Sequence, residues 1–201
     1  MGGFRQQTED QILDRAAALL ARRGPRTSLQ EIADSVGLSK AGLQYHFPTK
    51  DSLHSAVLAK AAGIGQQVLD VVADLPIGPE RDLRAIEAWI DVALAHPGLV
   101  SLLLTPVSSA VADEPGDDGA EAVLASATAA LAAFGVDPEA ATAERTVRVA
   151  AALAALGVLT LAAHQNDLTV AWRPHMVVAC FDALGHRRPG ATSSSTDQVE
   201  A

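Results

Sequence analysis

The sequence predicts an all-α protein, and three observations support this fold class. Apolar residues recur at the three- and four-residue spacing of a helical face along most of the 201 residues. No stretch alternates apolar and polar residues as a half-buried strand does. Glycine, proline and small polar residues separate the apolar stretches, where they end one helix and begin the next. We expect about nine helices, arranged as a three-helix N-terminal head followed by a helical bundle.

The first predicted helix is bounded by local signals at both ends. Thr8 and Gln11 have the spacing of a capping box at its start, and Gly24-Pro25 ends it. Its apolar stripe contains Ile12, Leu13, Ala16, Ala17, Leu19 and Leu20. We expect this helix to pack across the two short helices that follow.

Residues 27–53 are predicted to form two short helices joined by a tight turn, with a third helix directly after them. Ser28 and Glu31 have the spacing of a capping box, which starts the first short helix near Leu29. Gly37 supplies the left-handed residue that ends this helix. The segment therefore has the layout of a helix-turn-helix.

The second short helix has the composition of a DNA recognition helix. Ser39 is predicted to cap it, and Leu43 and Phe47 to point inward. The outward side combines small residues, which allow close backbone approach, with hydrogen-bonding and aromatic groups that reach base edges or phosphates. These outward residues are Lys40, Ala41, Gly42, Gln44, Tyr45 and His46.

The third helix of the segment is predicted to begin near a DNA phosphate. Thr49 caps it, its N-terminus carries partial positive charge, and Lys50 adds a full charge. The residues expected to position the DNA backbone are Thr27, Ser28, Ser39, Thr49 and Lys50. The alternative is a plain helical hairpin at the surface. That alternative does not explain why Tyr-His-Phe lies beside a helix start that carries a lysine.

At these residues the chain resembles the TetR family of one-component transcriptional regulators. The family pattern is present as Ile32-Ala33, Gly37-Leu38-Ser39, Ala41-Gly42, Tyr45-His46-Phe47 and Lys50 through Leu53. The resemblance is close over roughly the first 65 residues, and it extends to the rest in length and helical character. It implies a sequence-specific DNA-binding regulator, and specifically a repressor.

The resemblance also implies an effector. In the family the C-terminal body houses a ligand pocket, and binding there shifts the separation of the two heads. We expect a repressor that binds a near-palindromic double-stranded DNA operator and is released by a small apolar or amphipathic molecule. The alternative is a DNA-binding helical dimer with no small-molecule input, controlled by a protein partner. The size of the body, some 140 residues, counts against this alternative.

Charge divides the chain into two unlike parts. The formal net charge is −9, but residues 1–60 carry +2 and residues 61–201 carry −11. DNA should attract the first part and repel the second. A single cysteine, Cys180, excludes an internal disulfide, and the N-terminus lacks the apolar run of a signal peptide. These features indicate a cytoplasmic protein.

A fourth helix, Lys50 to about Asp74, is predicted to join the head to the body. Gly63 and Gly65 lie midway along it and indicate either a bend that transmits motion or close packing. Further helices are expected near residues 86–96, 99–104, 120–134, 138–163 and 169–185, with Asp137-Pro138 opening the eighth. The predicted domains are a DNA-binding domain at 5–65, a ligand-binding and dimerisation domain at 66–186, and a disordered tail at 187–201.

The eighth helix predicts a homodimer. Residues 149–163 are nearly all apolar, yet fifteen residues fall short of the roughly twenty that cross a membrane. One face should therefore meet its own domain and the other a partner chain. We expect the eighth and ninth helices of two copies to form a four-helix bundle.

No constellation of residues predicts an enzyme, a cofactor or a metal site. Cys180 lies on an apolar stripe, and the six histidines lack metal-ligand spacing. The acidic loop 113–119 lacks the spacing of a calcium loop. The candidates for ligand contact are Trp89, His96, Thr105, Thr160 and His164, although each is also explained as a core or surface residue.

Overall fold

The computed structural model describes residues 2–109, 117–137 and 140–186, and in these ranges the chain is all-helical, as predicted. The helices are α1 Gly2–Arg23, α2 Leu29–Ser35, α3 Lys40–His46, α4 Lys50–Val72, α5 Pro79–Ala95, α6 Pro97–Ser109, α7 Asp117–Ala133, α8 Ala143–Gln165 and α9 Thr169–Ala183, with a 3-10 turn Gly24–Arg26 after α1. The predicted tail and residues 113–116 of the acidic loop lie outside the described residues.

Two helix starts differ from the prediction. Helix α1 begins at Gly2, so Thr8 lies inside the helix and does not begin it. Helix α8 begins at Ala143, where the Thr142 hydroxyl accepts a hydrogen bond from the backbone N–H of Arg145 at 3.2 Å. The Asp137 carbonyl instead accepts the N–H of Ala140 in a turn. Both errors have one cause, because the chain offers more capping residues than helices and local sequence does not select among them.

The head has its own apolar core, built from α1, α2, α3 and α4. Its fully buried side chains include Ile12, Ile32, Leu43 and Leu53. Leu99 of α6 is buried in the same cluster. A residue of the body therefore completes the core of the head.

In the body, α5 and α7 pack against α4, and α8 and α9 pack against α5 and against each other. Phe134, at the end of α7, is fully buried among Ile86, Ile90 and Leu156. Helix α4 runs through both cores without a break, since Ile64 is buried in the head and Val68 in the body. The two predicted domains therefore share one continuous helix.

At Gly65, α4 packs closely against another helix, which is one of the two explanations given for the glycines in this helix. A Cβ atom there would lie 2.1 Å from the carbonyl oxygen of Ser126 in α7. At Gly63 a Cβ atom would meet nothing within 4 Å. Only the missing side chain of Gly65 allows α4 and α7 to come this close.

A buried ionic group ties the end of α7 to the rest of the body. Arg145 donates to both carboxylate oxygens of Asp82, at 2.7 and 2.8 Å, and to the carbonyl of Phe134. His186 Nε2 lies 2.6 Å from the same carboxylate. Arg81 donates to the carbonyls of Ala132 and Ala133. These two arginines satisfy carbonyls that a helix end leaves without partners.

Helix α8 is longer than its apolar segment indicated. It has 23 residues and is long and apolar enough, by length and composition, to cross a membrane, so the prediction that it is too short was wrong. The reason is that the helix extends upstream through Glu144 and Arg148. Its inner residues, among them Val149 and Leu156, are buried in the body core. Its outer side carries Val158, which is 59% exposed.

Candidate nucleic-acid interface and cavity

Three capped helix starts build the outer surface of the head. The Ser28 hydroxyl accepts the N–H of Glu31 at 3.2 Å, and the Glu31 carboxylate accepts the N–H of Ser28 at 2.8 Å, so the predicted capping box is confirmed. The backbone N–H and the hydroxyl of Ser28 both donate to the Glu31 carboxylate and hold its pKa below the usual value. The predicted caps at Ser39 and Thr49 are confirmed as well, because Ser39 accepts the N–H of Gly42 and Thr49 that of Ser52, both at 3.0 Å.

Helix α3 presents a small and polar surface to solvent. Leu43 is fully buried and anchors the helix on the head core. On the other side, Lys40, Ala41 and Gln44 are exposed, and Tyr45 is 72% exposed. An exposed aromatic ring is suited to binding a partner when it lies beside hydrogen-bonding groups. Here the neighbouring side chains can hydrogen-bond to bases or phosphates.

Two of the predicted DNA contacts point inward instead. Thr27 is fully buried, and its hydroxyl donates to the carbonyls of Gly24 and Leu19. The His46 side chain is only 13% exposed, and its Nδ1 lies 3.3 Å from Glu9 of α1. The expectation that His46 faces outward was wrong, because the Glu9 side chain of α1 lies against the imidazole ring.

Helix α4 begins at the same surface. Thr49 and Lys50 are exposed at its first turn, next to the exposed end of α3. A helix of 23 residues has a positive N-terminus, and the Lys50 side chain adds a full charge to it. This side of the head is therefore suited to an anionic, hydrogen-bonding partner, and we call it the recognition surface. It is formed by Lys40, Ala41, Gly42, Gln44, Tyr45, Thr49 and Lys50.

Asp14 joins the head to the body at a helix start. Its carboxylate accepts the backbone N–H groups of Gly98 and Leu99, at 2.8 and 3.1 Å, and so caps α6 from α1. A Cβ atom on Gly98 would lie 1.9 Å from the Asp14 carbonyl oxygen, so the two helices touch through their backbones. Burial raises the pKa of the Asp14 carboxyl, although both N–H donors act in the opposite direction.

A cavity of about 280 Å³ lies in the body between α5, α6, α7 and α8. Its lining residues are Trp89, Ala93, Val100, Leu103, Leu104, Ser126, Ala127, Ala130, Leu131, Ala150, Leu153, Ala154, Leu156 and Gly157. Ala127 and Ala154 are exposed, so the cavity reaches the surface between α7 and α8. A partly open, largely apolar cavity is the usual form of a small-molecule site.

Of the predicted ligand contacts, the cavity includes Trp89. Thr160 is buried and is not one of the lining residues, and its hydroxyl donates to the carbonyls of Leu156 and Gly157 in its own helix. His164 is exposed near the end of α8, and His96 ends α5 outside the cavity. The side chain of Thr105 lies outside the described residues. Among the residues that the structure describes, no cluster of acidic, histidine or cysteine side chains could hold a metal ion.

Most of the residues that line the cavity were not predicted from the sequence. Its residues are leucines, alanines and a glycine, which look the same in sequence whether they face a neighbouring side chain or an empty space. Small residues opposite one another on α7 and α8, such as Ala127 and Ala154, are the one signal that could have indicated it.

Comparison with known proteins agrees with this geometry. Residues 12–57 match the family of bacterial regulatory proteins called the tetR family. The chain is 29% identical over 144 residues to an uncharacterized HTH-type transcriptional regulator of Mycobacterium tuberculosis, covering 69% of this chain and 68% of that protein. It is 35% identical over 83 residues to the HTH-type transcriptional regulator AcrR of Shigella flexneri, covering 40% of this chain and 39% of AcrR.

Solved structures share the fold. A TetR family transcription regulator from Marinobacter aquaeolei superposes with a TM-score of 0.56 at 19% identity, over 89% of this chain and 96% of that one. The TetR family regulator PfmR from Thermus thermophilus superposes with a TM-score of 0.55 at 20% identity, over 90% and 97%. These relatives and neighbours are all described as transcription regulators.

Proposed function

Since the chain is a DNA-binding transcriptional regulator of the TetR family, we propose that it is a repressor that binds its operator as a homodimer and is released by a small molecule. One observation carries the proposal. The continuous helix α4 begins at the recognition surface and continues into the body, where α7 packs against it at Gly65 and also forms a wall of the cavity.

In this proposal the recognition surface reads the operator. Lys40, Gln44 and Tyr45 contact bases or nearby phosphates, while Ala41 and Gly42 allow the backbone of α3 to approach the groove. Ser28, Ser39, Thr49 and Lys50 position the DNA backbone. Thr27 and His46 have structural roles, since their polar atoms already have partners inside the head.

The homodimer forms through α8 and α9. The outer sides of these helices carry exposed valines, and the largest exposures are 65% for Val147, 59% for Val158 and 88% for Val170. Apolar surface of this kind is covered by a second copy in a four-helix bundle. A two-fold dimer places its two heads roughly one DNA turn apart, about 34–36 Å, and so reads a near-palindrome.

Release by an effector follows from the connections between the cavity and the head. A ligand in the cavity touches α6, which Asp14 caps from the head, and α7, which packs on α4. The ligand favours dimers whose heads no longer match the spacing of the operator. A coupling of about 1–3 kcal/mol weakens the DNA complex roughly 5- to 150-fold.

Selection from a random DNA pool tests the DNA-binding part of the proposal. We expect a single near-palindrome whose half-sites lie roughly one helical turn apart. Tyr45→Ala and Lys50→Ala should each weaken binding to it by about tenfold, and Lys50→Ala should also reduce the salt dependence by about one ion. Arg84→Ala, an exposed charge change on α5, is the control and should have no effect. Unchanged binding in both head variants would refute the assignment.

A screen of metabolites by thermal shift, followed by operator release, tests the effector. We expect compounds that stabilise the protein to dissociate the operator complex. If every stabilising compound leaves operator affinity unchanged, control by a protein partner replaces control by a ligand. Sedimentation tests the dimer, where Val158→Arg should produce monomers because it places a charge in the bundle. The expected place of action is the cytoplasm, where the operator DNA lies.

A further inference from the structure

The wall of the cavity carries no charged side chain among the residues described. Twelve of its fourteen residues are Ala, Leu, Val or Gly, the other two are Trp89 and Ser126, and none is Asp, Glu, Lys, Arg or His. A carboxylate, phosphate or ammonium group that enters such a site loses its hydration and finds no opposite charge on the described wall. The cavity therefore selects against charged molecules.

The volume limits the size of the occupant. An apolar cavity of roughly 150 Å³ in another protein binds benzene. A cavity of about 280 Å³ is nearly twice as large. It suits a molecule of roughly ten to twelve non-hydrogen atoms, such as a bicyclic ring system or a branched medium-length chain.

One polar atom at this wall has no hydrogen-bond partner among the described residues. Trp89 lines the cavity, and its indole Nε1 is buried with no hydrogen-bond acceptor in the described part of the chain. A buried tryptophan N–H normally finds an acceptor, and leaving it without one is unfavourable. The other polar side chain on the wall, Ser126, already accepts the N–H of Gly65. An ordered water is a poor solution, because it needs two or more polar partners.

From these observations we infer that the cavity binds a neutral, largely apolar molecule of roughly ten to twelve non-hydrogen atoms with one hydrogen-bond acceptor, which the Trp89 indole N–H recognises. The acceptor is a carbonyl, ether or similar oxygen. This assignment deepens the proposed function and rests on it for its regulatory meaning. The binding chemistry itself depends only on the cavity.

Trp89 is also placed to pass the effect of binding to the head. It packs against both apolar cores, that of the head and that of the body. Its neighbour one turn on, Val92, does the same. A ligand that orients the indole therefore acts at the junction of the two cores, close to α6 and its cap on Asp14.

The test compares two probes of nearly equal shape on the full-length protein. The ketone 1-indanone carries the acceptor, and the hydrocarbon indane lacks it. By calorimetry we expect 1-indanone to bind roughly tenfold more tightly than indane to the wild type. In Trp89→Phe the difference should disappear, because the N–H is gone. Trp172→Phe is the matched control, since Trp172 lies in α9 away from the cavity, and it should keep the full difference.

Two further measurements keep the test decisive if Trp89→Phe is poorly folded. In Trp172→Phe the remaining tryptophan is Trp89, because the chain has two. Its fluorescence should shift to longer wavelength with 1-indanone and not with indane. Ala93→Leu, which fills part of the cavity, should weaken both probes equally.

The outcomes separate the ligand class from the regulatory proposal. Three results would each overturn the inference. The first is that the charged probe indane-1-carboxylate binds more tightly than 1-indanone. The others are a ketone preference that persists in Trp89→Phe, and no binding of any probe. If the ketone preference is found but operator affinity does not change, the ligand class stands and the release mechanism fails. If a charged compound releases the operator, the release mechanism stands and the ligand class fails.

Discussion

Replacing Gly63 and Gly65 by alanine should change stability in opposite directions, although the two residues are neighbours on one helix. Alanine is intrinsically better in a helix interior by about 1 kcal/mol, and this gain applies equally to both positions. At Gly63 nothing opposes it, because the new Cβ atom would meet no atom within 4 Å. We therefore expect Gly63→Ala to stabilise the protein by about 0.5–1 kcal/mol.

At Gly65 the same atom has no space. It would lie 2.1 Å from the Ser126 carbonyl oxygen and 3.0 Å from the Ala130 nitrogen, both in the backbone of α7. A backbone in a packed helix cannot rotate away as a side chain can, so α4 and α7 must separate. Overpacking of this kind costs about 1–3 kcal/mol or more, which exceeds the gain in helix propensity. We expect a net loss of about 2 kcal/mol for Gly65→Ala.

Urea and thermal unfolding measure both effects. For a chain of this size about 1 kcal/mol corresponds to roughly 2–4 °C in Tm, so Gly63→Ala should raise Tm by about 2 °C and Gly65→Ala lower it by about 4–8 °C. Because Ser126 and Ala130 also line the cavity, Gly65→Ala should weaken 1-indanone binding while Gly63→Ala leaves it unchanged. Equal changes of the same sign in both variants would refute the close packing of α4 on α7.

Three other perturbations follow from the buried polar groups. Asp82→Ala should cost about 1–3 kcal/mol in urea unfolding because it removes the buried carboxylate that the partly exposed Arg145 binds, whereas Asp91→Ala, which breaks a more exposed ion pair, should cost less than about 1 kcal/mol. The pKa of Asp14 is raised above 3.8 by burial, so its contribution to stability is present below that pH and is lost as pH rises through the raised value. The free energy of unfolding of the wild type minus that of Asp14→Asn should accordingly fall between pH 3.8 and the raised pKa and then level off. A difference that does not change with pH would contradict the desolvation of Asp14. Burial raises the pKa of Cys180 to about 11, so a thiol reagent at neutral pH should label the folded protein far more slowly than the unfolded one.

The short-range features of the head could be predicted from the sequence because each depends on residues three or four positions apart. The reciprocal hydrogen bonds of Ser28 and Glu31 need only a helix start between them. The same is true of the caps at Ser39 and Thr49. Local pattern therefore located the helix-turn-helix, and with it the recognition surface.

Positions that looked alike in sequence were separated by packing between distant helices. His46 was expected to face outward like Tyr45, but Glu9 of α1 lies against it. Thr27 was expected at the DNA, but the carbonyl of Leu19 binds its hydroxyl. In both cases the partner comes from α1, which lies too far away in the sequence for the local pattern to place it.

The sequence by itself determined the all-helical class, the capped helix-turn-helix and the division of charge between head and body, since these depend on composition and on spacing within a turn or two. Only the tertiary structure decided that Gly65 is a contact point, that Asp14 caps α6, and that Trp89 lines a cavity where its N–H meets no acceptor within the described ranges. The physical reason is that each depends on two helices far apart in the chain meeting at a particular depth and angle. That arrangement is set by the packing of the whole core and not by any one segment.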